Sequence, residues 1–152
     1  MKAAIVAAAL AAATLSMPVA QAAPSDEARA LYDQFVVAQN ASDFDRVETL
    51  LLDSPKFLWV TNGLSIWGRD AAIKRMAEYH KAEVWHIDPD RAKTTAVEVN
   101  ASTAFLNVPL ELAIGSKADG SDHFKFLVSA LCVETQQGWR IAALFTTMAN
   151  PE

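Results

Sequence analysis

The stretch Thr103-Ala104-Phe105-Leu106-Asn107-Val108-Pro109-Leu110-Glu111-Leu112-Ala113-Ile114 decides how this chain folds. Ala104, Leu106, Val108, Leu110, Leu112 and Ile114 recur at every second position, a spacing that gathers them on one face of a β-strand. Pro109 lacks an amide donor, so an edge position or a bulge is expected there. A second run, over 123–134, is apolar on both faces: Phe124, Phe126, Val128, Ala130 and Cys132 on one, Leu127, Leu131 and Val133 on the other. Antiparallel sheets usually leave one face to water. A doubly apolar strand therefore predicts helices on one side and another covering on the other, with a second subunit as the candidate.

Working outward, further strands are expected near 84–88, 94–99 and 139–148, with turns at Asn100-Ala101-Ser102, Asp119-Gly120 and Gln136-Gln137-Gly138. Phe57 to Val60 and Leu64 to Trp67, joined by Thr61-Asn62-Gly63, read as a hairpin. Ahead of it, Ala28, Leu31, Tyr32, Phe35 and Val36 make one helical face behind a start at Ser25-Asp26-Glu27. A shorter helix is expected from a cap at Ser42 through Phe44, Val47, Leu50 and Leu51, and a third carries Ile73, Met76, Ala77 and His80 on one stripe.

The first residues read differently. Lys2, an apolar Ala-rich stretch over 3–15, Pro18 and the small-x-small Ala20-Gln21-Ala22 form the pattern of a cleavable export signal over 1–22. The apolar run is shorter than the ~20 residues that span a bilayer, so no membrane anchor is expected after cleavage. A periplasmic or secreted bacterial protein of a single domain, 23–152, is the expectation. Without Lys2 the remaining 12 basic residues face 18 acidic ones, a net charge of −6. Such a surface disfavours nucleic acid and anionic membrane, which need clustered Lys and Arg. Cys132 is the sole cysteine, flanked by apolar residues, and reads as a buried thiol rather than a nucleophile.

Three short motifs carry a resemblance. Phe35 through Asp45 contains Asn40-Ala41-Ser42-Asp43-Phe44-Asp45, Trp67-Gly68-Arg69-Asp70-Ala71-Ala72-Ile73 leads into the third helix, and Asp119-Gly120 is followed by Gly138-Trp139-Arg140-Ile141. Together they resemble the nuclear transport factor 2-like superfamily, and within it the SnoaL-like relatives of ketosteroid isomerases and polyketide cyclases. The resemblance implies an α+β, cystatin-like, cone-shaped domain with three helices packed on a curved, mainly antiparallel sheet. It also implies a ligand cavity between helices and sheet, suited to a small hydrophobic molecule; the homodimer is the expectation of the doubly apolar strand over 123–134. Laid beside a ketosteroid isomerase, the oxyanion-binding Tyr falls on Phe35 and the general-base Asp falls near Trp59. Neither residue can do that proton chemistry.

The remaining candidates come from the residues themselves. His86 and Asp88 lie two apart on a strand and so share a face, where a carboxylate can orient an imidazole as a base; the same spacing also fits an exposed edge pair. These two are the candidate catalytic residues. Tyr32, Phe35, Trp59, Trp67, Phe105 and Phe145, with Trp85, are the candidate wall of an apolar ligand site or, equally, ordinary core. His80 reads as a satisfied core or rim histidine, and His123 as exposed. Three scattered histidines give no metal-ligand spacing, and no Gly-rich phosphate loop is present, so neither a metal nor a cofactor is expected. The two function classes that remain are a cofactor-free isomerase, cyclase or dehydratase, and a non-catalytic dimeric binding module.

Overall fold

Two helices open the fold. The computed structural model describes residues 22–150, so the expected export signal lies almost wholly outside the described residues. Helix α1 runs Pro24–Asn40 and α2 runs Phe44–Leu50. The hairpin β1 (Leu58–Thr61) and β2 (Leu64–Trp67) follows, then α3 (Arg69–Tyr79), then β3 (Val84–Pro89), β4 (Thr95–Asn100), β5 (Thr103–Ser116), β6 (Gly120–Thr135) and β7 (Gly138–Met148). All seven strands join one sheet in the order β2-β1-β7-β6-β5-β3, with β4 also on β5. Every pairing is antiparallel except β1 with β7, so the sheet is mixed and mostly antiparallel.

Local chemistry departs from expectation at both helix starts. Pro24, whose ring presets a helical φ, occupies the first turn of α1, and Ser25 Oγ instead reaches Glu98 at 2.8 Å. The cap of α2 is Asp43, which accepts from the Arg46 amide at 3.0 Å, one residue beyond the expected Ser42. Ser42 stands at a φ of 54°, turning the chain between the helices. In the β1–β2 hairpin Asn62 and Gly63 both take positive φ, as a two-residue type I′ turn requires.

Pro109 is a correction. It lies in β5, an interior strand, opposite Leu127 of β6, and there is no bulge at it. Its carbonyl accepts from the Asp90 amide at 2.8 Å on the other side, between the residues that pair with β3 (110–115) and with β4 (103–107). The missing donor thus falls at the gap where one neighbouring strand gives way to the next. No ladder bond is lost.

The core lies between the helices and one face of the sheet. Ala104, Leu106 and Val108 from β5, Ala130 and Cys132 from β6 and Ile141 from β7 are fully buried beneath Ala28, Leu31 and Val36 of α1. A bulge leaves Ala142 unpaired between Leu131↔Ala143 and Cys132↔Ile141, which bends β7, and just there Leu52 donates to the Ile141 carbonyl at 2.8 Å. Arg69 accounts for one of the motif residues: mostly buried, it reaches Glu48, Asp53 and Asp70 at 3.0, 3.3 and 3.3 Å and ties α2 to α3.

The opposite sheet face carries Phe105, Leu131, Val133, Val97, Phe145 and Val60. No element of the described residues covers it, and Val97 remains 52% exposed and Phe145 38%. One further bond pair sets the position of β3. Asn40 at the end of α1 donates to the Ile87 carbonyl at 2.9 Å and accepts from the Ile87 amide at 2.7 Å, acting as a one-residue strand along the free edge of β3. Replacing it by alanine strands both backbone groups, so Asn40→Ala should lower stability by about 2 kcal/mol. Chemical denaturation measures this, and faster hydrogen exchange at the Ile87 amide should accompany it.

Candidate functional site

The helices and the inner sheet face enclose a cavity of about 350 Å³. Each wall obeys the period of its element. Helix α1 contributes Tyr32, Phe35 and Gln39, and α3 contributes Met76 and Tyr79, at helical spacings of three and four. The strands contribute alternate residues: Trp59 and Thr61; Trp85 and Ile87; Leu110, Leu112 and Ile114; Phe124, Phe126 and Val128; Leu144, Thr146 and Met148. With Asn62, that wall contains no Asp, Glu, His, Lys or Arg.

The period-two rule separates the expected site residues. Tyr32, Phe35, Trp59 and Trp85 line the cavity. Phe105 and Phe145 do not: each is one step from an inward residue, Leu106 and Leu144 respectively, and stands on the outer face. Trp67, at the end of β2 opposite Leu58, is 59% exposed. His86 and Asp88 share a face, as their spacing requires, but it is the face turned away from the cavity. Their neighbours Trp85 and Ile87 face inward, whereas both of them are exposed. A base inside the cavity is therefore not supplied by this pair. His123 is also exposed and holds Glu111 at 2.6 Å on the same outer face.

His80, directly after α3, sits behind the cavity wall rather than in it. Its Nε2 lies 2.7 Å from Gln39 Oε1 and its Nδ1 2.9 Å from Ser42 Oγ. An amide oxygen only accepts, so Nε2 carries the proton and Nδ1 accepts from the hydroxyl. The ring packs on Trp85 at 4.2 Å between centroids and meets the edge of Phe44 at 4.9 Å. Burial disfavours the imidazolium and pushes the pKa down to about 4. His80 is thus a satisfied, neutral histidine that fixes Gln39.

Gln39 is the residue that sequence reading missed. It is 2% exposed, donates to Met76 Sδ at 3.1 Å, and keeps an amide edge on the cavity. Its signal was present: 32, 35, 36 and 39 continue one helical stripe, and a Gln at its end is a buried polar group needing partners. Two further polar groups of the wall are paired, whereas Trp85 Nε1 is buried without a partner among the described residues. Trp59 Nε1 donates to Thr146 Oγ1 at 3.1 Å, and Asn62 Nδ2 to the Tyr79 hydroxyl at 3.3 Å. Burial raises the pKa of Tyr32 and keeps its hydroxyl protonated. Cys132, fully buried, has its thiol pushed up to about 12 by burial, which removes it as a nucleophile. Among the described residues, no group of three or more His, Cys, Asp or Glu side chains could hold a metal ion, and no helix is long and apolar enough to cross a membrane.

With fold and cavity in view, comparison with known proteins defines the class. The profile of the SnoaL-like domain matches residues 28–148, and the chain belongs to that family. Solved structures of the nuclear transport factor 2-like superfamily share its fold. A superfamily protein from Salmonella enterica serovar Typhimurium aligns with a TM-score of 0.73 at 13% identity, covering 84% of this chain and 92% of its own. A ketosteroid isomerase-like protein from Erwinia carotovora atroseptica aligns at 0.68 and 17%, covering 84% and 97%. A hexachlorocyclohexane dehydrochlorinase, LinA-type3, from Novosphingobium barchaimii aligns at 0.69 and 11%, covering 82% and 86%. No curated protein sequence matches the chain.

The state of His80 gives a pH signature. The unfolded imidazole titrates near 6.5 and the folded one near 4. The contribution of its neutral form is therefore complete above pH 6.5 and is lost as pH falls toward 4. Denaturation midpoints measured across this window should decline with falling pH, and His80→Asn should flatten that slope; an equal slope in the variant would assign it to other groups.

Proposed function

We propose that this domain binds a small, neutral, ring-containing hydrophobic molecule in its cavity and acts as a binding module rather than a proton-transfer enzyme. The observation that carries this reading is the composition of the wall: aromatic and aliphatic side chains with hydroxyl and amide groups, and no charged residue. A charged ligand would enter without a counterion, at a desolvation cost no contact in the cavity offsets. Proton abstraction needs a base poised near neutral pH. The ionisable side chains of the wall are Tyr32 and Tyr79, and Tyr32 is held firmly protonated. The isomerase-like and dehydrochlorinase structures share the scaffold at 17% and 11% identity, and a shared scaffold does not carry a shared chemistry.

The uncovered outer face supports a second element of the proposal, a homodimer formed through the sheet. Phe105, Leu131, Val133 and Phe145 form an apolar patch of the kind that marks an interface. The export pattern at the chain's start adds an extracytoplasmic place of action.

A matched ligand pair tests the binding reading. Quenching of tryptophan fluorescence should report saturable binding of 2-naphthol and at least about tenfold weaker binding of 2-naphthoate at pH 7, because the carboxylate must be buried unpaired. Leu110→Trp, which fills the cavity, should abolish naphthol binding, whereas His86→Ala and Asp88→Asn should leave it unchanged. Equal binding of the two ligands would refute the neutral-ligand reading. The interface is checked by sedimentation, in which Leu131→Arg should convert a dimer to a monomer; a monomeric parent protein would remove the dimer from the proposal.

A further inference from the structure

A second concavity, about 290 Å³, lies outside the cavity, between α1, α2 and the start of β7. Gln34 of α1, Arg46 and Thr49 of α2, and Gln137, Trp139 and Arg140 of the last hairpin surround it. Its chemistry is the reverse of the first: polar groups dominate, and two arginines from different elements line it. We infer that this groove is a binding site for a small anion bearing carboxylate or phosphate oxygens.

Three observations carry the inference. Arg46 and Arg140 make no ion pair with a carboxylate of the described residues, although the chain is acidic overall and Arg69 alone meets three carboxylates. Arg46 is nonetheless held in place, since its Nη2 donates to Gln34 Oε1 and its Nη1 to Thr49 Oγ1 at 3.3 Å. Arg140 is half-buried and anchored by Nη1 on the Trp139 carbonyl at 2.8 Å. Each guanidinium has five N–H donors, so both keep most of theirs free while their positions are already fixed. Glu27 is the only acid on the rim and leaves the groove with one excess positive charge. Two forks of this kind match the planar oxygens of a carboxylate or the tetrahedral oxygens of a phosphate, and prior anchoring lowers the entropy lost on binding.

The placement also separates this site from the cavity. Leu31 and Leu50 form the floor of the groove, and the neighbouring stripe of α1, with Phe35 and Gln39, faces the cavity. A neutral ligand in one and an anion in the other would occupy opposite flanks of the same helix.

Titration of the folded domain with inorganic phosphate and, separately, with malonate, followed by amide NMR shifts, tests the inference. Saturable shifts are expected at Gln34, Thr49, Gln137 and Trp139, with Trp59 and Leu110 unmoved. Arg46→Gln and Arg140→Gln should each weaken binding by about tenfold or more, since each removes a charge-assisted contact. Arg46→Lys should recover only part of the loss, and Lys125→Gln, on the outer sheet face, should change nothing. Preference for one probe assigns the anion to the phosphate or the carboxylate class. Shifts that never saturate, or affinity that survives both arginine substitutions in variants with unaltered spectra, would overturn the site.

Discussion

The register of β5 on β6 is the constraint from which the rest of the molecule follows. Fourteen cross-strand pairs run from Thr103↔Val133 to Ser116↔Gly120, and along them every side chain is committed to one of two faces. The inner row supplies the buried core near one end, at Ala104, Leu106, Ala130 and Cys132, and the cavity wall near the other, at Leu110, Leu112, Phe124 and Phe126. The outer row supplies Phe105, Leu131 and Val133, then Glu111, His123 and Lys125. A slip of one residue would put one strand out of step with the other, turning either Glu111 or Lys125 to the inner face and its apolar neighbours to water. The tight turn at Asp119-Gly120, where Gly120 takes a φ of 85°, holds the ribbon against that slip.

The cavity forms where the inner row outruns the helices, and its walls are mostly apolar. What keeps it from collapsing is a set of polar anchors at its perimeter. Asn40 and Gln39, adjacent at the end of α1, point to different partners: Asn40 holds the backbone of β3, and Gln39 spans Met76 of α3 and His80. His80 is held in turn by Ser42 and by Trp85, itself part of the wall. The joint between α1, α3 and β3 is therefore polar, directional and nearly fully bonded. Side chains on either side of it can face the cavity without the elements closing together. A ligand that bound the folded domain there would stabilise it by mass action.

How much of this was legible in the sequence depended on the period being read. The long strands declared themselves because six alternate apolar residues over 104–114 leave no helical alternative. The third helix and the hairpin before it followed from a Gly at each chain reversal, Gly63 and Gly68, both at positive φ. The site was less legible. Counting aromatics gave Phe105, Phe145 and Trp67 the same standing as Trp59, because hydrophobicity does not say which face of a strand looks inward. His86 and Asp88 were correctly placed on one face, but only the neighbours Trp85 and Ile87 show that it is the outer one. Gln39 lacked charge and motif, and its role exists only through partners at 76 and 80, far away in sequence.

Phe35 and Trp59, neither able to exchange a proton as an acid or base, both line the cavity. A scaffold shared with other proteins does not fix what its cavity does, because chemistry lives in the residues of the site. The lining sets the basis of selectivity. A wall with ionised groups selects by charge, whereas this one presents hydroxyls at Tyr32, Thr61 and Thr146 and an amide at Gln39 among aromatic rings. Buried polar groups of this sort favour a ligand that completes their hydrogen bonds and penalise one of the same shape that leaves them unpaired. On the binding reading proposed above, shape would set the size of an acceptable molecule, and the few polar groups, held in register by the joint around Gln39, would set which molecule of that size is retained.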